Sequence, residues 1–66
     1  MKIRLNGEPF ELAGPTTIAA LLAQLEIEPR RVAVEHQRGI IKRARYDTTT
    51  INDGDTVEIV NFVGGG

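Results

Sequence analysis

Polar and apolar residues alternate at the start of the chain in the pattern of a β-hairpin. Apolar side chains recur at every second position from Lys2 to Asn6, and again at Phe10 and Leu12. A period of two residues is typical of a half-buried strand. The pair Asn6-Gly7 between the two segments favours a tight turn, because both residue types tolerate positive φ. We therefore predict strands over 2–6 and 8–12.

A helix follows the hairpin. Four apolar residues occupy one stripe at the spacing i, i+3, i+4, i+7: Ile18, Leu21, Leu22 and Leu25. This spacing places them on one face of an α-helix. Either Thr16 or Thr17 can cap its first turn with a hydroxyl group, and Pro29 is the latest point by which the helix must end.

The second half of the chain predicts mostly strands and turns. In chain order these are a strand over Val32–His36, a turn over Gln37–Gly39, a short strand at Ile40-Ile41, a helical turn near Ala44–Tyr46, an extended stretch over Thr48–Ile51, a turn over Asn52–Asp55 and a strand over Thr56–Phe62. The last strand is rich in β-branched residues, which favour sheets.

These elements predict a two-layer α+β fold in which the helix covers one face of the sheet. The predicted core below the helix comprises Ile3, Leu5, Phe10, Leu12, Val32, Val34, Val57 and Ile59. Strand alternation places Val60 and Phe62 on the opposite, outer face. We expect one domain over residues 1–63 and a flexible tail over 64–66.

Composition excludes several classes of function. The chain of 66 residues has no cysteine, one histidine and a formal net charge of −1, so a thiol nucleophile, a cysteine metal site and a multi-histidine metal site are excluded. We expect no membrane partner, since no apolar run approaches the roughly 18 residues of a membrane span. The absence of a signal-peptide pattern predicts a cytoplasmic protein.

Six Lys and Arg residues lie between positions 30 and 45, with Glu35 as the single acidic residue among them. A basic cluster can bind nucleic acid, but this one lacks interleaved aromatic residues and the rest of the chain is acidic. We therefore expect no nucleic-acid partner. A solvated face or a surface for docking a partner is favoured, and the role of the cluster stays open.

Few other residues suggest chemistry. His36 stands alone at the end of a predicted strand, which favours a surface or turn role over acid–base catalysis. Asp53 and Asp55 flank Gly54, and this arrangement indicates a turn more simply than a metal site. We predict no catalytic residue and no bound metal.

The glycine distribution is uneven: three of the seven glycines are Gly64, Gly65 and Gly66. An α-carboxylate is ionised at neutral pH, and an enzyme can activate it as an acyl adenylate. Glycines allow the backbone to pass through a narrow channel, since they lack Cβ atoms. The alternative is a frayed end without function. The absence of any other reactive constellation favours a functional tail.

The stretch from Asp53 to Gly66 resembles the end of the ThiS family, the sulfur carrier proteins of the thiamine pathway. The Asp-Gly-Asp turn, the Val57–Val60 strand and the glycine tail carry the resemblance together, and the whole chain fits it in length and order of elements. The resemblance implies a β-grasp, ubiquitin-like fold with a mixed sheet of four to five strands packed on one main helix.

The resemblance also implies a mechanism in which the protein is a co-substrate and not an enzyme. A ThiF-like adenylyltransferase would use ATP and Mg²⁺ to adenylate Gly66. A cysteine desulfurase or another persulfide donor would supply sulfur for a thiocarboxylate, and a ThiG-like thiazole synthase would accept it. Gly65 and Gly64 would thread the tail into these enzymes. No permanently bound cofactor is implied.

Two other interpretations stay open. Small subunits of molybdopterin synthase share the fold and the Gly-Gly end, and a ubiquitin-like module could act through its surface or by forming isopeptides. On the sulfur-carrier interpretation, Val60, Phe62 and Val63 are candidate docking residues for the adenylating enzyme. A loop covering Val60 and Phe62 is the alternative explanation for their apolar character.

Overall fold

A computed structural model describes residues 1–62 of the chain as two layers, one α-helix packed on one face of a β-sheet. The strands are β1 (Lys2–Leu5), β2 (Glu8–Glu11), β3 (Thr16–Thr17), β4 (Val32–His36), β5 (Gly39–Ile41), β6 (Thr50–Ile51) and β7 (Thr56–Asn61). The α-helix is α1 (Ile18–Gln24), and the 3-10 helices are Pro29–Arg31 and Arg43–Arg45.

The main sheet has five strands in the order β2-β1-β7-β4-β5. β1 and β7 are parallel, and the other pairs are antiparallel. The sheet is therefore mixed, and the last strand in sequence occupies its centre. This arrangement confirms the predicted α+β class with a mixed sheet on one main helix.

Local sequence explains the ends of the first elements. Asn6 and Gly7 have φ of 50° and 83°, as the predicted tight hairpin requires. The Thr17 hydroxyl accepts a hydrogen bond from the Ala20 N–H at 3.1 Å and caps α1. Of the two candidate caps, Thr17 is the one used.

The helix ends at Gln24, well before Pro29. Glu26 adopts a left-handed conformation with φ of 58°, and the N–H groups of Glu26 and Ile27 donate to the carbonyls of Ala23 and Leu22. This is the hydrogen-bond pattern of a Schellman motif. The stop is therefore made by backbone geometry at a glutamate, a residue that gives no sequence signal for it.

The core confirms most of the predicted positions and adds two. Its buried residues are Ile3, Leu12, Ile18, Leu21, Leu22, Val32, Val34, Tyr46, Ile51 and Val57. Leu5, Phe10 and Ile59 are partly buried at its edge. The additions, Tyr46 and Ile51, come from the segment between β5 and β7.

A second, two-stranded sheet brings this segment onto the helix. Thr16 pairs with Ile51 and Thr17 with Thr50 in an antiparallel arrangement, and the Ala19 N–H donates to the Tyr46 carbonyl at 2.8 Å. The extended stretch predicted over 48–51 is strand only at its last two residues. Thr48 and Thr49 instead turn back on the Arg45 carbonyl.

The boundary predicted at residue 63 lies outside the described residues and stays a prediction. Within residues 1–62, no helix combines the length and apolar character needed to cross a membrane.

Candidate functional site

The strand that leads to the glycine tail is held in the sheet up to its last residue. β7 lies between β1 and β4, with Asn61 opposite Val32. The N–H of Phe62 then donates to the Arg31 carbonyl at 2.9 Å. The chain is therefore anchored as far as Phe62, the last of the described residues.

The apolar side chains of β7 differ sharply in exposure between the start of the strand and the residues at its end. Val57 is fully buried beneath α1, whereas Val60 and Phe62 are 57% and 56% exposed. Val57 and Val60 point to opposite faces of the sheet, and exposure also rises towards the end of the strand, since Asn61 on the Val57 face is exposed. No loop of residues 1–62 covers the two exposed side chains, so they are accessible for docking.

The remaining predicted site residues are Val63, Gly64, Gly65 and Gly66. All four lie outside the described residues. Their roles as docking residue, threading residues and sulfur-bearing terminus stay predictions.

His36 and Asp55 form a pair that sequence reasoning missed. The His36 Nε2 lies 2.7 Å from the Asp55 Oδ2, and both side chains are largely buried. The same carboxylate oxygen accepts the Asn52 N–H at 2.8 Å. Burial raises the pKa of Asp55, but the hydrogen bonds from Asn52 and His36 and the His36 charge outweigh it and leave the pKa below its ordinary value.

Further hydrogen bonds tie the Asp-Gly-Asp turn and the start of β7 to neighbouring segments. The Asp53 carboxylate accepts the Lys2 N–H at 2.7 Å, and the Gln37 side-chain oxygen accepts the Thr56 N–H at 2.6 Å. Gly54 has φ of 85°, which favours glycine at this position. The residues therefore form a turn, as predicted, and residues 1–62 contain no group of three potential metal ligands.

The pairing of His36 with Asp55 had no sequence signal, because nothing in the spacing of 19 residues indicates a contact. It arises because β4 and β7 are antiparallel and place His36 opposite Val57. The largely buried histidine thereby links a strand to a turn, which agrees with the turn role expected for it and not with a surface role.

An open groove adjoins the end of β7. It has a volume of about 410 Å³ and is lined by Glu26, Ile27, Glu28, Arg31 and Asn61. An enclosed pocket with converging polar groups is typical of a small-molecule site, and this groove is open to solvent. This groove therefore lacks the enclosure of a typical small-molecule site.

Comparisons with known proteins agree on one family. The model of the ThiS family matches residues 3–66. The sulfur carrier protein ThiS of Bacillus subtilis is 42% identical over 65 residues, which cover 97% of this chain and 98% of that protein. The crystal structure of the thiamine biosynthesis protein ThiS from Geobacter metallireducens superposes with a TM-score of 0.88 at 35% identity, covering both chains completely.

A longer relative is also similar. A thiazole synthase of Magnetococcus marinus is 41% identical over 66 residues, which are the whole of this chain and 20% of that protein. The chain thus spans about a fifth of this relative. Family model, full-length relative and solved structure together confirm the resemblance drawn from residues 53–66: the chain belongs to the ThiS family.

Proposed function

We propose that this chain is a sulfur carrier protein that delivers sulfur for thiazole formation in thiamine biosynthesis, with the Gly66 carboxylate as the carrying group. Membership of the ThiS family is the observation that carries the proposal. The fold supports it, because the central strand β7 leads towards three successive glycines. The protein is then a co-substrate of its partner enzymes and not a catalyst.

The chemistry begins with activation of a poor acyl donor. A carboxylate oxygen of Gly66 attacks the α-phosphorus of ATP, and pyrophosphate leaves to give an acyl adenylate. A persulfide sulfur then attacks the acyl carbon and displaces AMP. A thiol reductant cleaves the resulting S–S bond, and the thiocarboxylate remains on Gly66. Gly64 and Gly65 suit threading into an active site, since they carry no side chains.

Three partners follow from these steps. A ThiF-like adenylyltransferase uses ATP and Mg²⁺ for the first step, and a cysteine desulfurase or another persulfide donor supplies the sulfur. A ThiG-like thiazole synthase consumes the thiocarboxylate. The similarity of the whole chain to a fifth of a thiazole synthase supports the last partner. We place the reactions in the cytoplasm, where ATP is available.

The exposed apolar residues of β7 are proposed as the docking surface for the adenylyltransferase. Val60 and Phe62 are more than half exposed, and Val63 continues the chain towards Gly66. An aromatic side chain within polar surroundings is a typical hot spot. Phe62→Ala should weaken binding by at least tenfold with the fold intact; unchanged affinity would exclude Phe62 as an anchor.

Intact mass spectrometry tests the proposed function. The chain is incubated with a ThiF-like adenylyltransferase, a cysteine desulfurase, cysteine, a thiol reductant, ATP and Mg²⁺. A mass gain equal to replacing one oxygen by one sulfur is expected. No gain, under conditions that load an established carrier protein, would overturn the proposal. Thiazole synthase should then consume the thiocarboxylate, whereas consumption by molybdopterin synthase alone would assign the chain to another pathway.

A further inference from the structure

The fold divides the basic residues between positions 30 and 45 into groups at opposite ends of the sheet. Val34 lies opposite Ile41, and His36 lies opposite Gly39. Arg38 therefore precedes β5 at one end of the sheet. Lys42 and Arg43 follow β5 at the other end.

That other end is the one at which β7 terminates. Asn61 lies opposite Val32, and the Arg31 carbonyl accepts the Phe62 N–H. The sheet thus brings two separate segments to the point where the tail departs. We name four residues of these segments the basic collar: Arg30, Arg31, Lys42 and Arg43.

The collar has no evident role in folding. All four side chains are exposed, and none forms an ion pair or a side-chain hydrogen bond with another residue in 1–62. Glu26 and Glu28 line the open groove beside Arg31 without pairing with it. Exposed charges contribute little to stability even when paired. The four cations are therefore available to a partner.

We infer that the basic collar docks on an acidic surface surrounding the active site of the adenylyltransferase. This inference rests on the proposed function. Four residues follow Phe62, and a fully extended chain of four residues spans about 14 Å. An enzyme that takes the Gly66 carboxylate into its active site must therefore bring its own surface close to the collar. Opposite charge on that surface steers and orients the encounter.

The surroundings of the collar favour a protein surface over a polyanion such as nucleic acid. The exposed side chains of Val60 and Phe62 lie at the same end of β7. An apolar centre with a charged rim is typical of protein–protein interfaces. A phosphate backbone offers no comparable apolar partner.

A matched pair of charge reversals tests the collar. Arg43→Glu changes the tail end of the sheet, and Arg38→Glu makes the same change at its opposite end. The measurement is kcat/KM for ATP-dependent activation of the chain by the adenylyltransferase, at low and at high ionic strength. We expect Arg43→Glu to lower kcat/KM roughly fivefold at low salt, because long-range attraction is lost, and Arg38→Glu to leave it within about twofold. Lys42→Glu/Arg43→Glu should lower it further.

The salt dependence of kcat/KM and the KM for ATP distinguish the possible outcomes. The defect of Arg43→Glu should shrink at high salt, where charges are screened, and KM for ATP should not change. Equal effects of the two reversals, a defect independent of salt, or a raised KM for ATP would each overturn the inference. Thermal melting confirms that the variants fold. Sulfur loading of the wild-type chain tests the proposed function separately. If the wild type is loaded and the charge reversals leave kcat/KM unchanged, the docking role of the collar is refuted and the proposed function stands.

Discussion

Polar side chains lie beside both ends of the central strand β7, but they are hydrogen-bonded within the fold at one end and not at the other. At its start, which we call the turn end, the carboxylates of Asp53 and Asp55 bind donors from β1, from β4 and from Asn52 of the same turn. At its finish, the tail end, the charged side chains of the basic collar bind nothing within residues 1–62. Both ends belong to the same strand, six residues long.

The difference separates stability from recognition. His36 and Asp55 at the turn end are largely buried and hydrogen-bonded, so removing one leaves its partner unsatisfied. Cations at the tail end are exposed, so removing one leaves the fold nearly unchanged. We expect substitutions at the turn end to alter unfolding and substitutions at the tail end to alter reactions with partner enzymes.

The largest effect should come from the terminus itself. Deleting Gly66, or adding one residue after it, should abolish sulfur loading, because the activated carboxylate is then missing or displaced in the partner active site. Intact mass after incubation with the loading enzymes measures this. Thermal melting should match the wild type, since no contact within residues 1–62 is changed. Normal loading of either variant would contradict the assignment of Gly66.

Substitution of two valines of β7 compares a buried position with an exposed one. Val57→Ala should lower the free energy of unfolding by about 2 kcal/mol, because it removes buried methyl groups and leaves a cavity. Val60→Ala should change it by less than about 0.5 kcal/mol, since that side chain is mostly exposed. Urea denaturation measures both.

The order of the two effects should reverse when binding to the partner enzyme is measured instead of stability. Val60→Ala should weaken affinity for the adenylyltransferase more than Val57→Ala, once both variants are shown to be folded. Equal losses of stability would refute the contrast between the two faces.

A substitution at the turn end tests the hydrogen bonds of Asp55. Asp55→Asn should lower the free energy of unfolding at pH 7 by roughly 1–2 kcal/mol, because charge-assisted hydrogen bonds to His36 and Asn52 are weakened. Urea denaturation at pH 7 measures the loss. Arg43→Gln serves as the comparison at the tail end.

The pH dependence has a definite sign. The pKa of Asp55 is lower in the folded protein than its ordinary value, so its contribution is present above the unfolded-state pKa and is lost as pH falls through the folded-state pKa. Below about pH 4 the stability gap between wild type and Asp55→Asn should therefore close. A gap that widens on acidification would contradict the hydrogen-bonding described for Asp55.

The smallest effect should come from neutralising the collar. Arg43→Gln should change the free energy of unfolding by less than about 0.5 kcal/mol, because Arg43 has no side-chain partner in residues 1–62. Chemical denaturation at neutral pH measures it. A loss as large as that of Asp55→Asn would mean that the tail end also stabilises the fold.

Much of the fold was predictable because its signals are local. The alternation around the Asn6-Gly7 turn, the apolar stripe of α1 and the β-branched run of β7 each act over a few residues. Burial beneath one helix then follows from which face is apolar. The early end of α1 was not predictable, because Glu26 adopts the left-handed conformation that glycine most often provides at the end of a helix.

The core residues missed from the sequence lie in an irregular segment. Tyr46 and Ile51 follow neither a helical nor a strand period, so no pattern marks them as buried. They are buried because β6 pairs with β3 and carries the segment onto the helix. Such long-range pairing is invisible to a local pattern.

The candidate site divides in the same way. Sequence alone predicted the glycine terminus, which stays a prediction, and the exposed positions Val60 and Phe62, which the structure confirms; composition and strand alternation can both be read along the chain. Only the tertiary structure paired His36 with Asp55 and gathered Arg30 and Arg31 beside Lys42 and Arg43. Antiparallel pairing of β4 with β5 and β7 decided both, since it sets which distant residues share an end of the sheet.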